Sequence, residues 1–263
     1  MVSSPANGPA SSTDGLRLMS WNLRHRPATS DSRRRWQRIV EQIDQWRPSV
    51  CCLQEVGSSL LTFLHRRLTD YAIHAPGLGR PGEQREHLAI CIRQADWRWL
   101  DRSRWLHAER RRGCCQPVAD AALPRQLVTA RLAGPAGELR VVNLHADHRG
   151  RQARCAMARF IRQRYILDDD PAALLVAGDL NATPASDPYR ILTTADDDFI
   201  DSASGQVDAG RPTWRLGPFR RRLDYIFCHR HLQITAHRTL GEDLQRPAIS
   251  DHRAIVVDCA RWP

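Results

Sequence analysis

The sequence predicts an α/β fold, and three observations predict it. From Leu16 onward, short apolar runs alternate with longer amphipathic ones. The run Ala172–Ala177 is apolar throughout, as a strand covered on both faces should be. A chain of 263 residues that is 42% hydrophobic and 26% charged can bury a sizeable core, and its charge content is ordinary for a globular protein. Taken alone, the alternation reads as one doubly wound sheet in one domain.

The elements follow in order. Leu16–Trp21 is a strand. A helix over Asp31–Trp46 places Trp36, Ile39, Val40, Ile43 and Trp46 on one stripe, and Pro48 stops it. Ser49–Leu53 reads as the second strand and Ser58–Leu68 as the second helix. Glu86–Arg93, Trp97–Leu100 and Gln126–Leu132 alternate as strands do, and a Gly-Pro-Ala-Gly turn at 134–137 leads into the strand Glu138–Leu144. A helix over Arg151–Tyr165 turns Ala153, Ala156, Met157, Phe160 and Ile161 inward. After Ala172–Ala177, Leu223–Cys228 and Ala254–Cys259 are the last two strands expected.

Met1–Gly15 has neither an apolar h-region nor a basic start, so it reads as a disordered tail and leaves 16–263 as the folded domain. No run of about 18 apolar residues is present, which excludes a membrane-spanning helix. Cys51, Cys52, Cys91, Cys114, Cys115, Cys155, Cys228 and Cys259 form no C-x-x-C pair. They read as small buried hydrophobes in a reducing cytoplasm. The net charge of +10 comes entirely from Arg, since the chain has no Lys. That suits phosphate recognition, and it equally suits a coding bias toward Arg.

Several strands end or begin in compact polar groups: Asn22, Glu55, Asn143 and His145, Asp179 and Asn181, Asp224, and Asp251 with His252. In open sheets the functional crevice lies outside the strand ends. Each residue alone has a structural explanation as a cap, a turn or a satisfied core group. Together they form an oxygen-rich cluster with two imidazoles. Such a cluster suits Mg²⁺, and phosphoryl chemistry needs a cation and a group that activates water.

The order and spacing of WN at 21–22, LQEV at 53–56, VVNLH at 141–145, GDLNATP at 178–184, RLDYIF at 222–227 and SDH at 250–252 resemble the endonuclease/exonuclease/phosphatase superfamily. The resemblance runs from about Leu16 to Cys259. DAALPR at 120–125 and HADHRGRQAR at 145–154 look closer still to one bacterial branch of Mg²⁺-dependent hydrolases. It implies a four-layer α-β-β-α sandwich of two mixed sheets, the DNase I-like fold, with a Mg²⁺ or Mn²⁺ site at one rim. By the same resemblance Asn22, Glu55 and Asp251 hold the metal. Asp179 and Asn181 position and activate water or hold a second metal. His252, oriented by Asp224, contacts the phosphate or serves as base, His145 contacts a phosphoryl oxygen, and Arg125 binds phosphate. Arg222 and Asn143, within the motifs, are further substrate-binding candidates. The chain departs from abasic-site nucleases of the superfamily at Arg24, where they carry an acid, and at His145, where they carry Tyr. That points toward the broader phosphodiesterases.

The reading is therefore a monomeric, cytoplasmic, metal-dependent phosphodiesterase or nuclease whose substrate is a phosphoester and could be nucleic acid. Two other readings compete. Asn143-Leu-His145-Ala-Asp147-His148 is one residue short of the zinc motif of metallo-β-lactamase-type hydrolases. The Arg triplets Arg33–Arg35, Arg110–Arg112 and Arg220–Arg222 suit a non-catalytic nucleic-acid binder, although the first two also read as solvated surface. Arg24, Arg26 and Arg220–Arg222 lie beside the motifs, and Trp214 is a candidate platform for substrate.

Overall fold

In a computed structural model the chain is described over residues 15–260, apart from 27–28, 30, 78–85, 108, 112–113, 117–119, 136, 169, 171, 195–198, 230–231 and 242–248. The expected tail before Gly15 and Arg112 of the second triplet lie outside the described residues. In chain order the elements are β1 (Leu16–Asn22), α1 (Ser32–Trp46), β2 (Val50–Gly57), α2 (Ser58–Arg67), β3 (Tyr71–His74), β4 (Glu86–Arg93), β5 (Arg98–His107), β6 (Glu109–Arg111) and β7 (Cys114–Gln116). They continue with β8 (Arg125–Gly134), β9 (Gly137–His145), α3 (Arg151–Ile161), a wide turn over Arg162–Ile166, β10 (Ala173–Asp179), α4 (Asp187–Leu192) and β11 (Phe199–Asp201). The last are β12 (Trp214–Leu216), β13 (Phe219–Arg221), β14 (Asp224–His229), β15 (Ile234–Thr239) and β16 (Ile255–Cys259).

The single doubly wound sheet suggested by alternation is not what forms. Two six-stranded mixed sheets stack instead, in the orders β15-β16-β1-β2-β4-β3 and β11-β14-β10-β9-β8-β5. Both share one pairing pattern. A central parallel pair, β1 with β2 or β10 with β9, is flanked on each side by antiparallel strands. Strand–helix alternation reports the parallel pairs but is silent on which strands share a sheet.

Period-two side-chain alternation builds three apolar layers between the four structural ones. Leu18, Val50, Ile90, Val128, Val141, Leu175, Ile226 and Val257 fill the space between the sheets. Met19, Leu53 and Cys91 face Ile39, Ile43 and Leu64 of the first two helices. Leu127, Val142 and Val176 face Met157 and Ile161 of α3. The run Ala172–Ala177 is uniformly apolar because Leu175 and Leu174 serve different layers.

Another expectation is corrected here. β15 lies between the two strands expected to be last, because its polar alternation (Thr235, His237, Thr239) marks a half-buried edge strand and hides it in the sequence. No helix among the described residues is long and apolar enough to cross a membrane.

Candidate active site

The topology explains why the polar residues meet. At one rim the parallel strands present their C-terminal ends: Asn22 on β1, Glu55 near the end of β2, His145 on β9 and Asp179 on β10. Their antiparallel partners present their first residues at the same rim: Glu86 on β4, Arg125 on β8 and Asp224 on β14. Asp251 and His252 lie in the segment leading into β16. Gly178 permits this close approach, since a Cβ there would sit 2.0 Å from the Leu144 carbonyl oxygen.

Asn22 is fully buried and donates through Nδ2 to Glu55 Oε1 at 2.9 Å and to Asp179 Oδ2 at 3.0 Å, so it stitches the two sheets together at the site. Glu55 Oε2 accepts from the His25 backbone N–H at 2.8 Å. Its own backbone is left-handed, at the bulge between Leu53 and Val56. Such bulges re-aim a side chain next to a functional site. Arg24, Glu55 and Asn181 are three of the four non-glycine residues with positive φ among the described residues, and all three stand at this rim. Strain of this kind costs on the order of 1 kcal/mol each and concentrates where function requires it.

Asp179 is the hub. Its Oδ2 lies 3.7 Å from His145 Nε2 and 3.8 Å from His252 Nε2, and its Oδ1 accepts from the Asn181 backbone N–H at 2.8 Å. Burial, and then the Asp224 charge, raise its pKa to about 7, against the pull of His252. His252 donates from Nδ1 to Asp224 Oδ2 at 2.8 Å. Burial disfavours its charge, but Asp224 and Asp179 more than offset this and hold its pKa up at about 10. Thr213, which the sequence reading missed, donates its hydroxyl to Asp224 Oδ2 at 2.6 Å and accepts from the backbone N–H groups of Leu223 and Asp224. His145 is driven the other way. Burial, then the charges of Arg125 and His252, lower its pKa well below that of an ordinary imidazole.

Two expected substrate-binding residues are not placed to bind substrate. Asn143 is fully buried between the sheets, where it accepts from Gln54 Nε2 at 2.9 Å and donates to the Leu53 and Ala89 carbonyls. Arg222 is buried, donates to Asp201 Oδ1 at 2.7 Å and covers the Tyr225 ring at 4.6 Å. Both are structural clamps. Arg35 of the first triplet is likewise not free surface. It donates to the carbonyls of Leu23, Arg24 and Ile249 and braces the loop after β1.

Glu86 was also missed. It is half-buried, and that burial followed by the Glu55 charge raises its pKa to about 7, eased by Arg125. The signal was available, because Glu86 opens a strand antiparallel to β2 and such a strand begins where β2 ends.

The zinc arrangement does not assemble. Asn143 is committed to the sheet interface, Asp147 accepts four backbone N–H groups, and the Nδ1 atoms of His145 and His148 receive the guanidinium of Arg125. A cation already occupies that place.

A hard divalent ion fits the rim better. Glu55, Asp251 and the Asn22 carboxamide are oxygen donors of the kind it prefers. The buried Oδ1 of Asp224 has no hydrogen-bond partner among the described residues, an acceptor left over at the same rim. Asp179, Asp224 and His252 also bring ligand-type atoms within 4.8 Å of one another. His252 offers Nε2 to such an ion only when that nitrogen carries no proton.

A family model described as the endonuclease/exonuclease/phosphatase family matches residues 19–252. The chain belongs to that family. Solved structures agree on the fold. An endonuclease/exonuclease/phosphatase from Bacteroides vulgatus superposes with a TM-score of 0.83 at 22% identity, covering 94% of this chain and 99% of that one. The mannosyl-6-phosphatase of Bacteroides thetaiotaomicron gives 0.80 at 20% identity over 93% and 99%. TDP2 of D. rerio, complexed with single strand DNA product, gives 0.76 at 20% identity over 93% and 98%. A comparison with curated proteins returned no match. The four-layer sandwich of the endonuclease/exonuclease/phosphatase family is therefore the fold of this chain, and members of that family act on phosphoesters.

Proposed function

We propose that the protein is a Mg²⁺- or Mn²⁺-dependent phosphodiesterase of nuclease type, acting as a cytoplasmic monomer. The observation that carries this reading is Asp179 Oδ2, a buried carboxylate oxygen within 3.8 Å of both imidazole Nε2 atoms. A base with a pKa of about 7 is suited to taking a proton from water at neutral pH. Asn181, fixed by its bonds to Asp179 and to the Ala146 carbonyl, orients that water. The imidazolium of His252 and the neutral N–H of His145 receive the charge that develops on the phosphoryl oxygens. A divalent ion held by Glu55, Asn22 and Asp251 would supply further neutralisation of those oxygens.

A cleft of about 630 Å³ opens beside His252 and favours an extended substrate over a small monoester. Trp214, Arg215, Arg220, Arg24 and Arg38 are among its lining residues. A phosphodiester chain offers rings to stack and phosphates to pair on such a surface, so single-stranded nucleic acid is the favoured substrate. Among the fold neighbours this aligns the chain with TDP2 rather than with the mannosyl-6-phosphatase.

The test is a hydrolysis panel with Mg²⁺, Mn²⁺ or EDTA against supercoiled DNA, single-stranded DNA and RNA, bis-p-nitrophenyl phosphate and p-nitrophenyl phosphate. Metal-dependent cleavage of diesters is expected, with Glu55→Ala and His252→Ala slower by about 10²–10⁴-fold and still folded. Normal turnover by both variants would sink the site assignment, and activity in EDTA would sink the metal.

A further inference from the structure

Apart from His145, the segments DAALPR and HADHRGRQAR are unused by the mechanism so far, yet they fold into one built unit. Asp120 accepts the backbone N–H groups of Gln152 and Ala153 and so caps α3 from a distance. Gly150 makes room for this, since a Cβ there would meet the Asp120 carbonyl oxygen at 2.7 Å. Asp147 ties the two segments together, with Oδ2 accepting from Ala122 and Leu123 and Oδ1 from Arg149 and Gly150.

At the centre of this frame sits Arg125, buried, with its Nε 3.8 Å from Asp147 Oδ2. Its Nη1 is 3.2 Å from His145 Nδ1 and its Nη2 is 3.3 Å from His148 Nδ1. A guanidinium is donor-only and stays charged, so both Nδ1 atoms must offer lone pairs. Any proton on a neutral ring is then on Nε2. For His145 that atom faces Asp179 at 3.7 Å and Glu55 at 3.8 Å, where the reacting phosphoryl group would lie.

We propose that Arg125 is a positioning residue that locks His145 in its Nε2–H tautomer and thereby aims a neutral N–H donor at the phosphoryl oxygen, with the Asp120–Asp147 frame holding the guanidinium in place. The role of that donor rests on the phosphoester-hydrolase reading; the tautomer does not. A water molecule or a carboxylate at Nδ1 would permit the other tautomer, and the N–H would then point into the protein.

The experiment is a long-range ¹H–¹⁵N correlation spectrum of the metal-free, ¹⁵N-histidine-labelled protein, with steady-state kinetics on bis-p-nitrophenyl phosphate and Mg²⁺. Wild type should show His145 protonated on Nε2 with an unprotonated Nδ1. In Arg125→Met a population with the proton on Nδ1 should appear, and kcat should fall about 10–100-fold with KM within about 3-fold. Arg125→Lys, which keeps a charged donor, should restore the tautomer and part of kcat. A wild-type His145 protonated on Nδ1 overturns the proposal whatever the variants do, and so does an unchanged tautomer in folded Arg125→Met. A wild type with no turnover would remove the hydrolase reading while the spectrum still decides the lock.

Discussion

His145 and His252 flank the same carboxylate at nearly equal distances, 3.7 and 3.8 Å, and the protein drives them to opposite charge states. Both are buried, so desolvation alone would make both neutral. The partner at Nδ1 decides the outcome. Asp224 on His252 accepts a proton-bearing nitrogen and stabilises the cation. Arg125 faces the same atom of His145, demands a lone pair and repels the cation. One imidazole supplies a full charge and the other only a directional N–H. On the proposed function, phosphoryl charge is then neutralised without packing two cations against one carboxylate, whose own pKa would otherwise be dragged out of the useful range.

The largest effect comes from removing the partner that makes His252 a cation. Asp224→Asn is isosteric and can keep its contact with Thr213, but it cannot stabilise imidazolium and can hold the ring in the wrong tautomer. The expected loss is about 10³–10⁴-fold in kcat with the thermal transition little changed. In a spectrum of the metal-free variant, His252 should titrate well below its wild-type value of about 10. A variant with near-normal kcat would show that the two imidazoles are not differentiated by their partners.

Part of this contrast was legible in the sequence. The strands buried on both faces declared themselves by their apolar runs, and the compact polar groups at their C-terminal ends pointed to the rim. The edge strands β3, β11 and β15 are short or polar, and the β12–β13 hairpin is exposed, so periodicity gave no signal there. Residues that act through hydrogen bonds were the hardest to read. Thr213 and Gln54 look like any strand-flanking polar residue until the structure sets them against Asp224 and Asn143. Asn143 and Arg222 failed in the opposite direction. Asn143 shares the inter-sheet face of β9 with His145 but sits two residues deeper, where it bonds across the sheet interface, and Asp201 draws Arg222 into the protein.

A third imidazole, far from the chemistry, tests the same electrostatics through stability. His237 on β15 is buried, meets the Ser202 hydroxyl at 3.1 Å through Nδ1, and has a buried Nε2 without a partner among the described residues. Burial, then Arg222, lowers its pKa from 6.5 to about 4. The unfolded chain therefore binds a proton that the native state refuses, and stability falls as pH drops from about 6.5 toward about 4. Between about pH 7.5 and about pH 5 this single group should cost about 2 kcal/mol. Urea midpoints at the two pH values should show that much more acid sensitivity in wild type than in His237→Gln. Equal sensitivity would mean that His237 is protonated in the native state.

The smallest expected effect separates the two sides of Asp179 by kinetics. The cleft opens on the His252 side, where Trp214 bridges by its backbone to His252 and lines the wall. Its indole can stack on a base in the ground state as well as in the transition state, so its loss is one of uniform binding. Trp214→Ala should weaken the interaction with single-stranded DNA by about 1 kcal/mol, a rise of about 5-fold in KM, and leave kcat nearly unchanged. The same variant should treat bis-p-nitrophenyl phosphate almost as wild type does, because a substrate that small does not reach along the cleft. A fall in kcat on both substrates would instead mean that the hairpin positions His252, and the cleft would then belong to the acid–base machinery rather than to substrate choice.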